Sequence, residues 1–166
     1  ITGSATIEIP KVCPVCGGLT GIKKANDTES LYCLNPDCQA KHIKRFEHFV
    51  SRNALNIDGI SSQTLEKFID RGFIKNYTDL YHLNNYEDEI VGMDGFGRKS
   101  YDNIIESVEK SRTVTLDHVI YALGIGGIGL ANARLVSRHC NEDPETVADI
   151  TIEELMSIDG IGDVLA

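Results

Sequence analysis

The sequence contains no run of eighteen apolar residues and no basic, apolar leader. Those two absences exclude a membrane-spanning helix and a secretory signal peptide. It also has no Met at position 1 and stops abruptly at Val164-Leu165-Ala166, so a segment excised from a longer chain is expected. Positive charge is short as well: 16 Lys+Arg stand against 25 Asp+Glu, a net of −9. Taken alone, that balance argues against a nucleic-acid partner, because phosphate binding normally carries a basic signature. The shortage is regional. Residues 1–72 hold 9 basic and 8 acidic residues (net +1), and residues 73–166 hold 7 and 17 (net −10). No Lys or Arg follows Arg138, whereas Glu142 to Asp163 supply eight acids. At 166 residues the chain suits one medium domain or two small ones.

What the sequence does have begins with cysteine. Four of its five cysteines form C-x2-C-x16-C-x4-C: Cys13, Cys16, Cys33 and Cys38, with Cys140 far away. Zinc takes four thiolates in a tetrahedron at about 2.3 Å, and a Cys-x-x-Cys turn offers two from one knuckle. Gly17-Gly18 after the first pair let the backbone fold back over a metal. Asn35-Pro36-Asp37 is turn chemistry inside the second pair. The interval between the pairs suits a small β-hairpin, with Leu31-Tyr32 on the returning strand. Two disulfides would require an oxidising compartment and would leave Cys140 unpaired there. Redox chemistry at Cys-x-x-Cys normally follows a strand in a βαβ pattern, which is missing, and a catalytic zinc would want a His or carboxylate and an open position. One structural zinc is the favoured reading, and Cys140 reads as a buried core thiol.

A second pattern fills the remainder. Ile57-Asp58-Gly59-Ile60-Ser61, Met93-Asp94-Gly95-Phe96-Gly97, Ile125-Gly126-Gly127-Ile128-Gly129 and Ile158-Asp159-Gly160-Ile161-Gly162 repeat with first glycines 36, 32 and 33 residues apart. Helical spacing flanks each. Leu65, Phe68 and Ile69 follow the first, and Tyr101, Ile104, Ile105 and Val108 follow the second. Leu116, Val119, Ile120 and Leu123 precede the third behind a Thr115 cap. Thr151 and Glu154 form a capping box before the fourth, followed by Leu155 and Met156. The unit is helix, tight turn, helix. In it, glycine reaches φ > 0, and the central Ile60, Phe96, Ile128 or Ile161 is expected to plug the core between the helices. The second helix starts at once, so its free N–H groups and dipole join the turn amides in a site suited to a phosphate. Such a site needs no lysine and reads no base. Four occurrences at a near-constant period weigh against glycines serving connection geometry alone, and the further consensus positions of known helical solenoids are missing.

Gly124-Ile125-Gly126-Gly127-Ile128-Gly129 also satisfies G-x-G-x-x-G, with Asp149 twenty residues beyond. A dinucleotide site needs a strand ahead of it. Here a helical period precedes, so that reading is set aside.

Ile9-Pro10-Lys11-Val12-Cys13-Pro14-Val15-Cys16-Gly17, Cys33-Leu34-Asn35-Pro36-Asp37-Cys38-Gln39-Ala40-Lys41, Met93-Asp94-Gly95-Phe96-Gly97-Arg98-Lys99-Ser100 and Ala122-Leu123-Gly124-Ile125 together resemble the C-terminal part of bacterial NAD-dependent DNA ligases. The resemblance covers nearly the whole chain. It implies a mainly α fold: residues 1–12 leaving an OB-fold domain, a four-cysteine zinc finger over 13–41, and four helix-hairpin-helix motifs over 42–166, the last truncated. It implies a parent enzyme that seals nicks in duplex DNA, using NAD and Mg2+, in the cytoplasm. The parent's adenylated lysine would lie in Lys-x-Asp-Gly. None of the nine lysines here is followed that way, so this segment is expected to be inactive alone. The implied partners are nicked double-stranded DNA and the chain's own adenylation and OB-fold domains, with no membrane and a monomeric state. Expected metal ligands are Cys13, Cys16, Cys33 and Cys38. Expected DNA contacts are Gly59, Ser61, Gly95, Gly97, Arg98, Lys99, Gly127, Gly129, Arg134, Gly160 and Gly162.

The second repeat is the strongest, since Arg98 and Lys99 add charge directly after Gly97. Ser61 replaces a glycine in the first repeat, and the third has no cation before Arg134. Lys41, His42, Lys44 and Arg45 form a candidate basic patch or an ordinary solvated helix face. Two other readings stand beside the ligase: a helix-hairpin-helix region of an excision-repair or branch-migration protein, and a protein-interaction module docking through the acidic C-terminal half.

Overall fold

In a computed structural model, residues 9–25 and 28–162 are described. Most of the expected OB-fold exit (1–8 of 1–12) and the second helix of the fourth repeat (163–166) lie outside them. Helix dominates, with eight α-helices and one two-stranded sheet among the described residues. The chain divides into two compact units, up to Lys44 and from Arg45 onward.

The first unit is built on β1 (Thr20–Ala25) and β2 (Thr28–Cys33), antiparallel with Thr20 opposite Cys33 and Gly21 opposite Tyr32. This is the hairpin expected between the cysteine pairs. A bridge between Val12 and Leu19 extends it. Among its described residues only Cys13 and Cys38 are buried. With so little apolar burial, hydrophobic transfer alone gives this unit little stability.

The second unit has a conventional apolar core. Its helices are α1 (Gln39–Val50, which begins before the unit boundary), α2 (Ser62–Asp70), α3 (Glu87–Val91), α4 (Arg98–Ser111), α5 (Leu116–Ala122), α6 (Leu130–His139), α7 (Pro144–Asp149) and α8 (Ile152–Ser157). A 3-10 segment, Tyr77–Tyr86, kinked at His82, precedes α3. The four repeated turns fall between α1 and α2, α3 and α4, α5 and α6, and after α8, and are called hairpins 1 to 4, the fourth being described only through its first helix and turn.

Hairpins 1 and 2 interlock. A Cβ on Gly59 would stand 3.2 Å from Ile104 of α4, and the Asp58 N–H donates to Ser107 Oγ at 2.7 Å. In return, Lys67 of α2 donates to the Asp94 carbonyl at 2.8 Å, and the Phe68 and Phe96 rings lie 5.9 Å apart. Each turn thus rests on the second helix of the other hairpin. The second pair repeats half of this pattern: a Cβ on Gly160 would stand 3.1 Å from Leu135 of α6. Its core joins Ile120, Ala133, Val136, Cys140, Ile158 and Ile161, with the thiol 1% exposed. Two histidines link the pairs, His48 Nε2 to the Tyr121 carbonyl at 2.7 Å and His118 Nδ1 to the Ala54 carbonyl at 3.1 Å.

Three details differ from the sequence reading. In three of the four turns the residue that plugs the core is the one opening the turn: Ile57, Met93 and Ile158 are buried, while Ile125, which opens the third, is exposed. Of the central residues only Ile161 is, while Ile60, Phe96 and Ile128 are half-buried. Thr115 does not cap α5 through its side chain; its hydroxyl donates to the Asp117 carboxylate instead. Leu123 and Met156, placed on apolar stripes, are exposed. The capping box of Thr151 and Glu154 is formed, with the Thr151 N–H donating to Glu154 at 2.8 Å.

Candidate metal centre and hairpin turns

Cys13, Cys16, Cys33 and Cys38 come together with all sulfurs within 4.8 Å of one another. Cys13 Sγ lies 3.9 Å from Cys38 Sγ, and Cys16 Sγ lies 3.5 Å from Cys33 Sγ. A tetrahedron of bonds of about 2.3 Å places its sulfurs about 3.8 Å apart, so these separations fit a four-thiolate site. They are far too long for the ~2.05 Å of a disulfide, and all five cysteines are free.

The local sequence builds the knuckle. Gly17, at φ 69°, turns the chain so that its N–H donates to the Cys13 carbonyl at 2.9 Å, while the Cys13 N–H donates to the Gly18 carbonyl at 2.7 Å. The Gly18 N–H then donates to Cys16 Sγ at 3.4 Å. A Cβ on Gly18 would stand 3.0 Å from Asn35 Cβ and 3.3 Å from Cys16 Sγ, so the two halves of the site close over a glycine. On the other half, the Asn35 side chain accepts from the Asp37 N–H at 3.0 Å, and the Cys38 carbonyl receives the first bonds of α1.

The backbone donor at Gly18 draws the Cys16 thiol down to about 6. Desolvation and the neighbouring Cys16 sulfur push Cys33 up to about 12. Four crowded sulfurs cannot all ionise against one another, and a divalent cation removes that conflict. The cluster can therefore hold a metal such as zinc. Cys140 takes no part in it; burial raises its thiol, as expected of a core residue.

In the turns, the two repeated glycine positions do different work. The first glycine is left-handed every time: φ is 84° at Gly59, 79° at Gly95, 84° at Gly127 and 94° at Gly160. Bonds from Phe96 N–H to Met93 O, Ile128 N–H to Ile125 O and Ile161 N–H to Ile158 O, each 3.0 Å, close three of the turns. The second position is ordinary extended backbone at the helix N-cap, with φ −83° at Ser61, −164° at Gly97 and −82° at Gly129. A Cβ there would meet nothing within 4 Å at Gly97, Gly129 or Gly162. Glycine at these positions leaves the amides uncovered; backbone strain does not require it.

That distinction separates the hairpins. Ser61 Oγ accepts from the Thr64 N–H at 3.2 Å, capping α2 internally. No side chain caps α4 or α6. Their first intrahelical bonds are Tyr101 N–H to Gly97 O and Ala133 N–H to Gly129 O, so residues 98–100 and 130–132 carry donors without an intrahelical acceptor. Arg98, expected to add charge to this amide group, is held by side chains around it. Its Nη1 is 2.5 Å from Glu87 and 3.9 Å from Asp102, and its guanidinium lies over Tyr101. Lys99 is exposed. Arg134 Nε donates to Asp117 Oδ2 at 3.1 Å. Lys41 and His42 are half-buried on α1, and Lys44 and Arg45 are exposed. Glu87 and Asp117 were missed by sequence reasoning because they come from the neighbouring helix, outside any i, i+4 window.

The chain thus defines a mainly helical class of segment, with a four-sulfur cluster that could hold a metal joined to paired helices with glycine turns. Known proteins carry the same segment. The chain is 50% identical over all 166 residues to a DNA ligase of Lachnoclostridium phytofermentans and 44% identical over 166 residues to one of Ruminiclostridium cellulolyticum. It is 38% identical over 160 residues, 96% of the chain, to one of Petrotoga mobilis. It spans about a quarter of the length of these curated relatives (25%, 25% and 24%). No family profile matches. The chain is thus homologous along its whole length to a segment of DNA ligases. No helix among the described residues is long and apolar enough to cross a membrane.

Proposed function

We propose that this chain is a non-catalytic DNA-binding and scaffolding segment of an NAD-dependent DNA ligase that seals nicks in duplex DNA in the bacterial cytoplasm. Its hairpins hold the DNA backbone without reading sequence. Its cysteines, Cys13, Cys16, Cys33 and Cys38, hold one structural zinc. NAD and Mg2+ serve the parent enzyme's adenylation domain, and this segment contributes no catalytic residue. The observation that carries the reading is the pair of uncapped helix starts behind left-handed glycines, at Gly97 and Gly129. Two such starts in a chain homologous to DNA ligases are suited to two backbone phosphates. The zinc part rests on the sulfur spacing and on a unit whose only buried described residues are two of the thiols.

In the parent protein the segment acts as a monomer, with a 13–41 finger between the OB-fold domain and a 42–166 helix-hairpin-helix domain. Exposed apolar side chains on the first unit, among them Val12, Leu19, Ile22 and Leu34, support its docking against another domain of the same protein.

Titrating a labelled nicked duplex with chain shown to carry one zinc by elemental analysis tests the reading. Binding should weaken as salt rises, with a log–log slope of about −0.9 for each phosphate neutralised. Absence of retardation at low salt, with the fourth hairpin complete, overturns it.

A further inference from the structure

The two arginines nearest the open helix starts are held the same way. In hairpin 2, Arg98 is the first residue of α4 and bonds Glu87, the first residue of α3. In hairpin 3, Arg134 of α6 bonds Asp117 in the first turn of α5. In both, the second helix provides the guanidinium and the first helix of the same hairpin provides the carboxylate. Asp117 is the firmer of the two: its side chain is only 15% exposed, and the Thr115 hydroxyl donates to its other oxygen. Hairpin 1 has no such pair. Ser62 stands at the first position of α2, and its hydroxyl donates to Glu47 of α1.

A guanidinium carries five N–H donors in a rigid plane. Arg134 spends its Nε–H on Asp117, and Arg98 spends Nη1 on Glu87. Both Nη groups of Arg134, and Nε and Nη2 of Arg98, have no carboxylate partner among these bonds. An arginine can therefore keep its carboxylate and grip a phosphate at once; a lysine, a point donor, lacks the fixed fork.

Resting on the DNA-binding reading above, we propose that Asp117 and Glu87 are positioning residues, each fixing the arginine of its own hairpin for a backbone phosphate. Bare electrostatics predicts the opposite sign for their removal, since deleting a negative charge from a chain of net −9 should favour a polyanion.

The experiment measures affinity for a labelled nicked duplex across a salt series, with thermal melts to confirm folding. Asp117→Asn should weaken binding about fivefold with an unchanged salt slope, because Arg134 keeps its charge. In an Arg134→Ala background the same change should cost nothing further, the signature of one coupled unit. Glu87→Gln should act in the same direction but less. Binding by Asp117→Asn that equals or exceeds that of the parent chain overturns the proposal. Should that variant fail to fold, Arg134→Lys at its exposed site carries the test: loss of about fivefold supports the fork, and unchanged affinity overturns it. An unsubstituted chain that binds no duplex removes the DNA reading itself. A chain that binds while Asp117→Asn does not weaken it removes only the positioning role.

Discussion

Hairpins 1 and 2 share a sequence pattern and a backbone, yet a side chain caps the second helix of one and none caps that of the other. Both turns start with a buried apolar residue, Ile57 or Met93, and pass through a left-handed glycine, Gly59 or Gly95. They part at the next helix. In hairpin 1, Ser61 caps α2 by accepting the Thr64 N–H, and the Ser62 hydroxyl donates to Glu47. In hairpin 2, Gly97 covers nothing, and Arg98 and Lys99 follow. A single repeat thus serves two ends. Both turns pack on the second helix of the other hairpin, but only the second has an uncapped helix start with two basic residues at it.

Charge reversal breaks the comparison most sharply. Replacing Arg98 and Lys99 with Glu should cut affinity for nicked duplex by about a hundredfold, since two cations become two anions beside free amides. The matching change at Ser62 and Gln63 should cost only about threefold, through long-range repulsion. Equal losses at the two hairpins would show that the capped one touches DNA as well as the uncapped one.

Glycine substitution separates conformation from space. Gly59→Ala combines a left-handed φ of 84° with a Cβ 3.2 Å from Ile104, and should destabilise by about 2–3 kcal/mol in denaturant melts. Gly95→Ala has the same strain without the crowding, its Cβ meeting only Lys67 Nζ at 4.0 Å, and should cost about 1–2 kcal/mol. Gly97→Ala, extended and in open space, should change stability by less than about 0.5 kcal/mol.

The smallest effect is the most pointed. Gly97→Ser should transplant the internal cap, raising stability by a few tenths of a kcal/mol while lowering DNA affinity about threefold. Ser61→Gly should do the reverse to stability, with affinity unchanged because the start of α2 still lacks the cations that follow Gly97. A Gly97→Ser chain that binds as before would show that the amides are not the contact.

Much of this was legible beforehand, because covalent spacing dictates it. The interval of sixteen between cysteine pairs leaves room for a short antiparallel hairpin and little else, and β1–β2 forms there. A glycine recurring every 32 to 36 residues marks four left-handed positions, and all four are left-handed. What stayed hidden depends on neighbours in space. That Ile57 is buried and Ile60 only half so follows from the turn seating on α4. Leu123 completes a helical stripe in sequence, yet it lies exposed beyond the last turn of α5. The Glu87–Arg98 pair joins two helices across a turn, where periodicity says nothing about which side chains meet.

Cys140 has a practical consequence. With four sulfurs engaged on a metal, it would be the one free thiol, sealed among Ile120, Ala133, Val136, Ile158 and Ile161. An alkylating reagent can reach it only when that cluster parts, and burial further slows it by keeping the thiol protonated. Its labelling rate is therefore a built-in clock for the opening of hairpins 3 and 4, read without adding any probe to the chain. Clamping of that pair by bound duplex would appear as a slower tick.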